Sequence, residues 1–195
     1  MLRYCLAMIL AANGLAAPAS ARDSGPADQV ATGFRVEAIG GFDTGNYNRD
    51  EKDQGVLYGA GIGYDLGVGR LRIGVDAEVS DSTADGCVQL GLDRFCTEAG
   101  RDIYAGGRIG FAAGSKLLLY AKGGYTNLRL TRRDHNPLDG PSVLHPKFDG
   151  VRFGGGAELA VGANSFVKAE YRYSDYDRRI SFDRHQGVVG VGWRF

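Results

Sequence analysis

Apolar side chains recur at every second position in eight segments distributed over the chain. A period of two is typical of a β-strand with one apolar face, and about ten residues is the length that a tilted strand needs to cross a bilayer. The segments are 33–42, 55–64, 70–80, 102–111, 117–128, 148–161, 165–173 and 185–195. The pattern therefore predicts an all-β chain of eight strands.

The connections between these segments are alternately long and short, at about 12, 5, 20, 5, 19, 3 and 11 residues. Barrels of outer membranes join their strands by long loops outside and short turns in the periplasm. An even strand number also returns both ends of the chain to the periplasmic side, which makes the first connection a long one. The spacing predicts an eight-stranded antiparallel up-and-down transmembrane β-barrel.

The polar faces of the strands carry charges of both signs, with many glycines beside them. Because the lumen of an eight-stranded barrel is narrow, side chains fill it. Long arginine and lysine side chains that cross over glycines to reach carboxylates would do so as ion pairs, with the apolar faces in lipid. The alternative orientation, apolar inside, is that of a soluble lipocalin-like carrier. The predicted lumen ion pairs involve Arg35, Glu37, Arg72, Asp76, Glu78, Arg108, Lys122, Arg152, Glu158, Lys168, Glu170, Arg172 and Arg194.

Aromatic residues gather at both predicted ends of the strands, where the two membrane interfaces would lie. One group, at the periplasmic ends, contains Phe34, Tyr64, Phe111, Trp193 and Phe195. The other, at the outer ends, contains Phe42, Tyr58, Tyr125, Phe153 and Tyr173. We interpret the two groups as aromatic girdles.

The beginning of the sequence has the features of a secretory signal peptide. Arg3 supplies a positive charge, residues 4–15 are largely apolar, and Ala19-Ser20-Ala21 offers a small-x-small cleavage site. We therefore predict a signal peptide over 1–21, a short periplasmic segment over 22–32, and a barrel over 33–195. Export of such a barrel predicts localisation in the cell outer membrane.

Composition excludes two other classes. Lysine plus arginine and aspartate plus glutamate are equal at 23 each, so no basic surface for nucleic acid is predicted. The mean hydropathy of −0.21 is too low for a bundle of transmembrane helices. Neither value argues against a membrane barrel, whose strands are only half apolar.

Three segments resemble strands of the opacity-type, OmpA-like outer-membrane barrel proteins that are common in alphaproteobacteria. They are 166–176 (FVKAEYRYSDY), 190–195 (GVGWRF) and 119–125 (LYAKGGY). The resemblance implies an eight-stranded outer-membrane barrel used for envelope integrity, adhesion or host contact. It also implies that the last strand, with Val191, Trp193 and Phe195, carries the signal recognised by the barrel-assembly machinery.

Cys87 and Cys96 lie in the second long connection. In an exported chain such a pair predicts a local disulfide. Zinc would need further cysteine or histidine ligands, and this connection has none. We predict no metal, no cofactor-binding site and no catalytic residue.

We expect a non-enzymatic outer-membrane protein, a monomer, with a structural or surface-interaction role. Its expected partners are outer-membrane lipid and lipopolysaccharide, the barrel-assembly machinery, and a host or cell-surface ligand for the outer loops. Two alternatives stay open. One is a small porin-like channel. The other is a lipid A-modifying enzyme, for which Ser142 with His145, or Ser181 with Asp183 and His185, would supply the reacting groups.

Overall fold

The structure, a computed structural model, describes residues 32–48, 51–83, 85–90, 93–136, 140–176 and 182–195. The predicted signal peptide over 1–21 lies outside the described residues, as does nearly all of the predicted segment over 22–32. Among the described residues, no helical segment has the length and hydropathy of a transmembrane span.

Ten β-strands make up the described fold. They are β1 (Gly33–Asn48), β2 (Glu51–Val68), β3 (Leu71–Ser82), β4 (Asp85–Leu90), β5 (Asp93–Ala113), β6 (Leu117–Asn136), β7 (Gly140–Leu144), β8 (Lys147–Ala160), β9 (Ser165–Tyr176) and β10 (Phe182–Arg194).

Eight of these strands close into a barrel. The order around the wall is β5-β3-β2-β1-β10-β9-β8-β6, and pairing of β5 with β6 completes the ring. Every neighbouring pair is antiparallel. Closure pairs the backbone polar groups that an open sheet would leave exposed in lipid. The predicted eight-stranded antiparallel barrel is confirmed.

The long connections were predicted wrongly in one respect, because the strands continue far into them. β5 has 21 residues and β6 has 20, about twice what a bilayer crossing requires. The two short strands lie in the second and third long connections, where β4 pairs with β5 and β7 pairs with β6. Apolar and polar residues alternate less regularly in these two connections, so the period of two did not reveal β4 and β7.

The first two short turns are also shorter than predicted. The predicted turn over 65–69 is mostly strand, since β2 runs to Val68 and only Gly69 and Arg70 form the turn. The second turn is residues 114–116 rather than 112–116. Gly69 and Gly114 have φ of 59° and 89°, a region that side chains disfavour, so each tight turn depends on its glycine.

The two faces of the wall follow the predicted alternation. The apolar positions, such as Ile62, Val75 and Val189, are about half exposed on the outside, where lipid would cover them. The charged positions are buried inside the barrel. Inward-facing glycines give the long side chains room. A Cβ on Gly63 would collide with the guanidinium of Arg35.

Candidate functional site: the charged barrel interior

All thirteen predicted lumen residues lie inside the barrel. Twelve are buried, and Arg194, at the end of the last strand, is partly exposed. We call the end with residues 69–70, 114–116 and 161–164 the turn end, and the opposite end, with β4 and β7, the loop end. Along the axis the charged side chains form three clusters.

The turn-end cluster consists of Arg35, Asp65, Asp76, Arg108, Glu158 and Arg194. Arg35 Nη1 lies 2.7 Å from Asp65 Oδ2, and its other terminal nitrogen contacts Asp76. Arg108 bridges two carboxylates, with Nη1 2.6 Å from Glu158 Oε1 and Nε 3.1 Å from Asp65 Oδ1. Three cations face three carboxylates, so the cluster is formally neutral.

The central cluster consists of Glu37, Glu78, Lys122, Lys168, Glu170 and Arg172. Lys122 Nζ lies 2.5 Å from Glu78 Oε1 and 2.9 Å from Glu170 Oε1. Lys168 Nζ lies 2.6 Å from Glu37 Oε1, and Arg172 contacts both Glu78 and Glu170. This cluster too has three charges of each sign.

The loop-end cluster consists of Asp43, Asp102, Arg152 and Arg184. Arg184 contacts Asp43 through two nitrogens, and its Nη1 lies 3.1 Å from Asp102 Oδ2. Arg152 also contacts Asp102 and donates a 2.8 Å hydrogen bond to Ser174 Oγ. With two charges of each sign, the third cluster is neutral as well.

Two buried tyrosines connect the clusters. Tyr120 donates a 2.5 Å hydrogen bond to Glu170 of the central cluster, while the guanidinium of Arg108 lies 4.5 Å from its ring. The ring of Tyr104 lies 4.8 Å from Lys122 Nζ and 5.5 Å from Arg152 Cζ. Through these contacts, the turn-end, central and loop-end clusters form one continuous column of side chains.

This arrangement has a physical requirement. A charge taken out of water costs several kcal/mol unless an opposite charge and hydrogen bonds compensate for it. Equal numbers of opposite charges within each cluster meet that requirement locally, and a further buried cation at the turn end, Arg72, donates to backbone carbonyl oxygens. The largest fully buried side chains are arginines, including Arg35, Arg72, Arg152 and Arg172, so the interior is filled by cations and their partners.

Four residues of these clusters were missed by the sequence analysis: Asp43, Asp65, Asp102 and Arg184. Asp65 was placed in a turn, and Asp43 and Arg184 in long connections, because the strands were predicted too short. Asp102 stands at the first position of a predicted strand, where its side-chain direction was not assigned. Arg72, which was predicted, donates hydrogen bonds to the carbonyl oxygens of Gly69 and Leu71 at the turn end.

Of the residues considered for an enzyme, His145, Asp183 and His185 have described side chains, which lie at the loop end. His185 Nδ1 lies 2.6 Å from the hydroxyl of Tyr171, and its Nε2 lies 3.5 Å from Asp183. His145 Nδ1 lies 3.4 Å from Thr131 Oγ1. Ser181 lies outside the described residues. The pairing of β7 with β6 places Ser142 opposite Asp134. Both nitrogens of His185 thus already face described partners.

Hydrogen bonds shape the boundary between the apolar wall and the loop end. Tyr125 and Asn127, on β6, both donate to Asp149 Oδ1 on β8. These hydrogen bonds hold the pKa of Asp149 below its usual value, so the carboxylate stays ionised at the surface. Among the described residues, no group of three histidine, cysteine, aspartate or glutamate side chains has the arrangement of a metal site.

A shallow depression of about 650 Å³ lies on the apolar outer wall. Its lining includes the small residues Ala38, Ala157 and Ala169 on three different strands, together with Val167 and Val191. Small side chains flanked by larger ones explain the hollow. Its lining also includes Lys168 of the central cluster.

The β4–β5 hairpin carries the two cysteines in register, with Cys87 opposite Cys96. Opposed Cα atoms of an antiparallel pair are about 4.5–5.5 Å apart, a separation that a disulfide spans. We expect alkylation mass spectrometry of native membranes to find no free thiol at either position. We also expect Cys87→Ser/Cys96→Ser to leave the barrel folded, since the two paired strands that flank this connection, β3 and β5, already tether it. Alkylated thiols in the untreated protein would contradict the disulfide.

Comparison with known proteins gives three findings. A family model described as "Outer membrane protein beta-barrel domain" matches residues 7–195. The "31 kDa outer-membrane immunogenic protein" of Brucella melitensis is 29% identical over 168 residues. That match covers 82% of this chain and 61% of the relative, so the chain spans less than two thirds of the relative's length.

Solved structures with the same fold include two small outer-membrane barrels. The attachment invasion locus protein Ail of Yersinia pestis has a TM-score of 0.59 at 14% identity, over 84% of this chain and 99% of Ail. The neisserial surface protein A has a TM-score of 0.57 at 18% identity, over 84% of this chain and 98% of that protein. At these identities the likeness shows the fold.

Proposed function

Because this chain belongs to the family of the outer membrane protein beta-barrel domain, we propose that it is a non-enzymatic outer-membrane component whose barrel is structural and whose outer strands interact with other surfaces. Localisation in the outer membrane agrees with the family and with the Brucella relative. Outer-membrane barrels have short turns in the periplasm and long loops outside, so we place the turn end in the periplasm and the loop end outside.

The observation that carries the structural half of the proposal is the filled interior. Three neutral clusters, bridged by Tyr104 and Tyr120, occupy the barrel from one end to the other. An ion entering the lumen would have to separate pairs that are desolvated and mutually compensated, which costs several kcal/mol for each pair. Side chains therefore close the lumen, and the barrel has a structural role rather than that of a porin-like channel.

The surface-interaction half is supported by the length of β5 and β6. Both run about ten residues past a bilayer crossing, and β4 and β7 widen them into a four-stranded sheet outside the membrane. The backbone of such a sheet lies beyond the lipid. The structural neighbours support the proposal by analogy, since one is an attachment protein that has been crystallised with a heparin analogue.

Two measurements on the purified and the overexpressed protein separate this proposal from its alternatives. We expect single-channel traces near baseline in planar bilayers, because the lumen clusters block ions. We also expect the lipid A mass spectrum to stay unchanged on overexpression. Large steady conductance steps would establish a channel instead, and a mass change of one acyl chain would establish a lipid A-modifying enzyme.

The outer sheet can be removed while the membrane barrel is kept. A variant lacking 85–98 and 132–145 retains the bilayer-spanning part of every barrel strand. We expect it to reach the outer membrane in folded form, as judged by its heat-dependent gel mobility. Cells producing it should bind cultured epithelial cells no better than an empty-vector strain, whereas the intact protein should increase binding. Equal binding by both proteins would contradict the surface role of the sheet.

The predicted assembly signal gives a separate test. Trp193 and Phe195 are half to two-thirds exposed on the outer wall, and the Phe195 ring lies 6.1 Å from that of Phe34. Phe195→Ser is expected to lower the amount of assembled barrel, because we propose that the assembly machinery recognises this outward series of residues. Phe111→Ser is the matched control, since Phe111 is another exposed aromatic at the turn end. Equal losses in both variants would indicate a general girdle effect and remove the special role of Phe195.

A further inference from the structure

We propose that a basic patch on the outer wall, formed by Arg101, Arg129 and Lys147, binds the phosphate groups of lipid A in the outer leaflet. The inference deepens the proposed function by assigning a lipid partner to the wall. It rests on that function in one respect, namely that the loop end faces outward.

The backbone brings the three cations together from three adjacent strands. Between Ala99 and Asp102 the register of β5 shifts by a bulge, which places Arg101 beside Arg129 of β6. On the other side of β6, Lys147 of β8 is the direct cross-strand partner of Arg129. Leu128 and Leu130, which flank Arg129, are buried, and so is Asp102 beside Arg101. Arg101 and Lys147 are themselves exposed, so the three cations lie on the outward face of the wall.

The patch begins where the apolar wall ends. One outward position toward the turn end, these strands carry Ile103, Asn127 and Asp149. Tyr125 and Val151 lie one outward position further, and like Ile103 they are exposed. Arg101 lies two residues beyond Ile103, about 7 Å further along the strand. Lipid phosphates lie immediately outside the hydrocarbon layer. Arg101 lies at that depth if the hydrocarbon layer ends near Ile103.

No ion pair joins Arg101, Arg129 or Lys147 to another described residue, and Asp149, two residues from Lys147, offsets only part of their charge. Like charges directly opposite each other on neighbouring strands repel, so the Arg129–Lys147 pair destabilises the wall unless an anion joins it. The Nε of Arg129 is buried and makes no hydrogen bond to any described residue. The Asp149 carboxylate accepts hydrogen bonds from Tyr125 and Asn127.

The chemistry of the three cations indicates which lipid binds to the patch. A guanidinium binds phosphate oxygens through two parallel hydrogen bonds, and a lysine adds a point charge. Three cations in a row exceed the single phosphate of an ordinary phospholipid but suit lipid A, which carries two phosphates on one rigid disaccharide. We therefore assign the patch to phosphorylated lipid A rather than to a phospholipid.

The test compares two double variants that each remove two exposed positive charges. Arg101→Gln/Lys147→Gln alters the patch, and Arg70→Gln/Lys116→Gln alters the turn end and serves as the control. Each purified full-length barrel, in neutral detergent, is titrated with lipid A carrying both phosphates, with lipid A lacking them, and with phosphatidylglycerol. Bound lipid is counted by native mass spectrometry, after gel mobility has shown that the barrel is folded.

We expect the patch variant to bind diphosphorylated lipid A at least about tenfold more weakly than the unaltered barrel, since the loss of even one charge-assisted hydrogen bond has this effect. The control should bind as the unaltered protein does, and dephosphorylated lipid A should bind weakly to all three. Undiminished binding by the patch variant would overturn the proposal. Phosphatidylglycerol bound as tightly, with the same loss in the patch variant, would overturn the assignment to lipid A. Neither result depends on the conductance or adhesion tests, so failure of the proposed function would be seen separately.

Discussion

Replacing Glu170 with leucine is expected to destabilise the folded barrel by about 3–5 kcal/mol. Glu170 lies within ion-pair distance of Lys122, Lys168 and Arg172, and it accepts the hydrogen bond of Tyr120. Its loss leaves the central cluster with three cations and two carboxylates in a buried layer. The midpoint of urea unfolding in lipid vesicles, followed by tryptophan fluorescence or gel mobility, measures the effect.

Asp175→Leu is the matched control, because Asp175 is on the same strand but faces outward and is exposed. Its replacement should change the unfolding midpoint little, as is usual for an exposed charge. Equal stability of the Glu170→Leu and unaltered proteins would show that the central cluster contributes no net stabilisation. The interior would then have to be held by packing alone.

Gly63→Val is expected to prevent the barrel from accumulating in folded form. A Cβ at this inward position would lie well inside contact distance of the Arg35 guanidinium, which pairs with Asp65 and Asp76. The register of β1 on β2 places Arg35 directly opposite Gly63, so the guanidinium must shift relative to these two carboxylates to make room. Overpacking and broken ion pairs then add to each other. The folded fraction in outer-membrane preparations, read from heat-dependent gel mobility, measures the loss.

The control for Gly63→Val is Gly187→Val on β10. Gly187 faces outward, and no atom lies within 4 Å of the position that a Cβ would take. Valine has a higher preference for strands than glycine, so Gly187→Val should assemble at least as well as the unaltered protein. If both valine variants assembled equally, the crossing of Arg35 over Gly63 could not be a requirement of the fold.

The charged interior could be anticipated from sequence only where the alternation was regular. Lys168, Glu170 and Arg172 stand at every second position between apolar residues, so their common direction follows from the pleat of a strand. Asp65 has the same spacing from Gly63, but the glycines around it favoured a turn. The physical reason for the difference is that hydrogen bonding to a neighbouring strand extends β2 beyond the point where local turn preferences would end it.

The basic patch on the outer wall was missed for a related reason. Arg101 and Arg129 belong to connections in the sequence interpretation, and Lys147 precedes the predicted start of its strand. Their proximity depends on the bulge in β5 and on the pairing of β6 with β8. The arginine pairs at 132–133 and 178–179, by contrast, are visible as runs of charge, but their side chains lie outside the described residues.

The sequence by itself determined that this chain is a membrane barrel of eight strands with charges inside and apolar residues outside. A period of two assigns each residue to a face, and the alternation of connection lengths assigns each end to a side of the membrane. Only the tertiary structure decided which charges meet. Glu37 and Lys168 are 131 positions apart, and Asp43 and Arg184 are 141 apart. Such pairs form because closing the sheet sets the stagger between first and last strands, and that stagger is a property of all eight strands together.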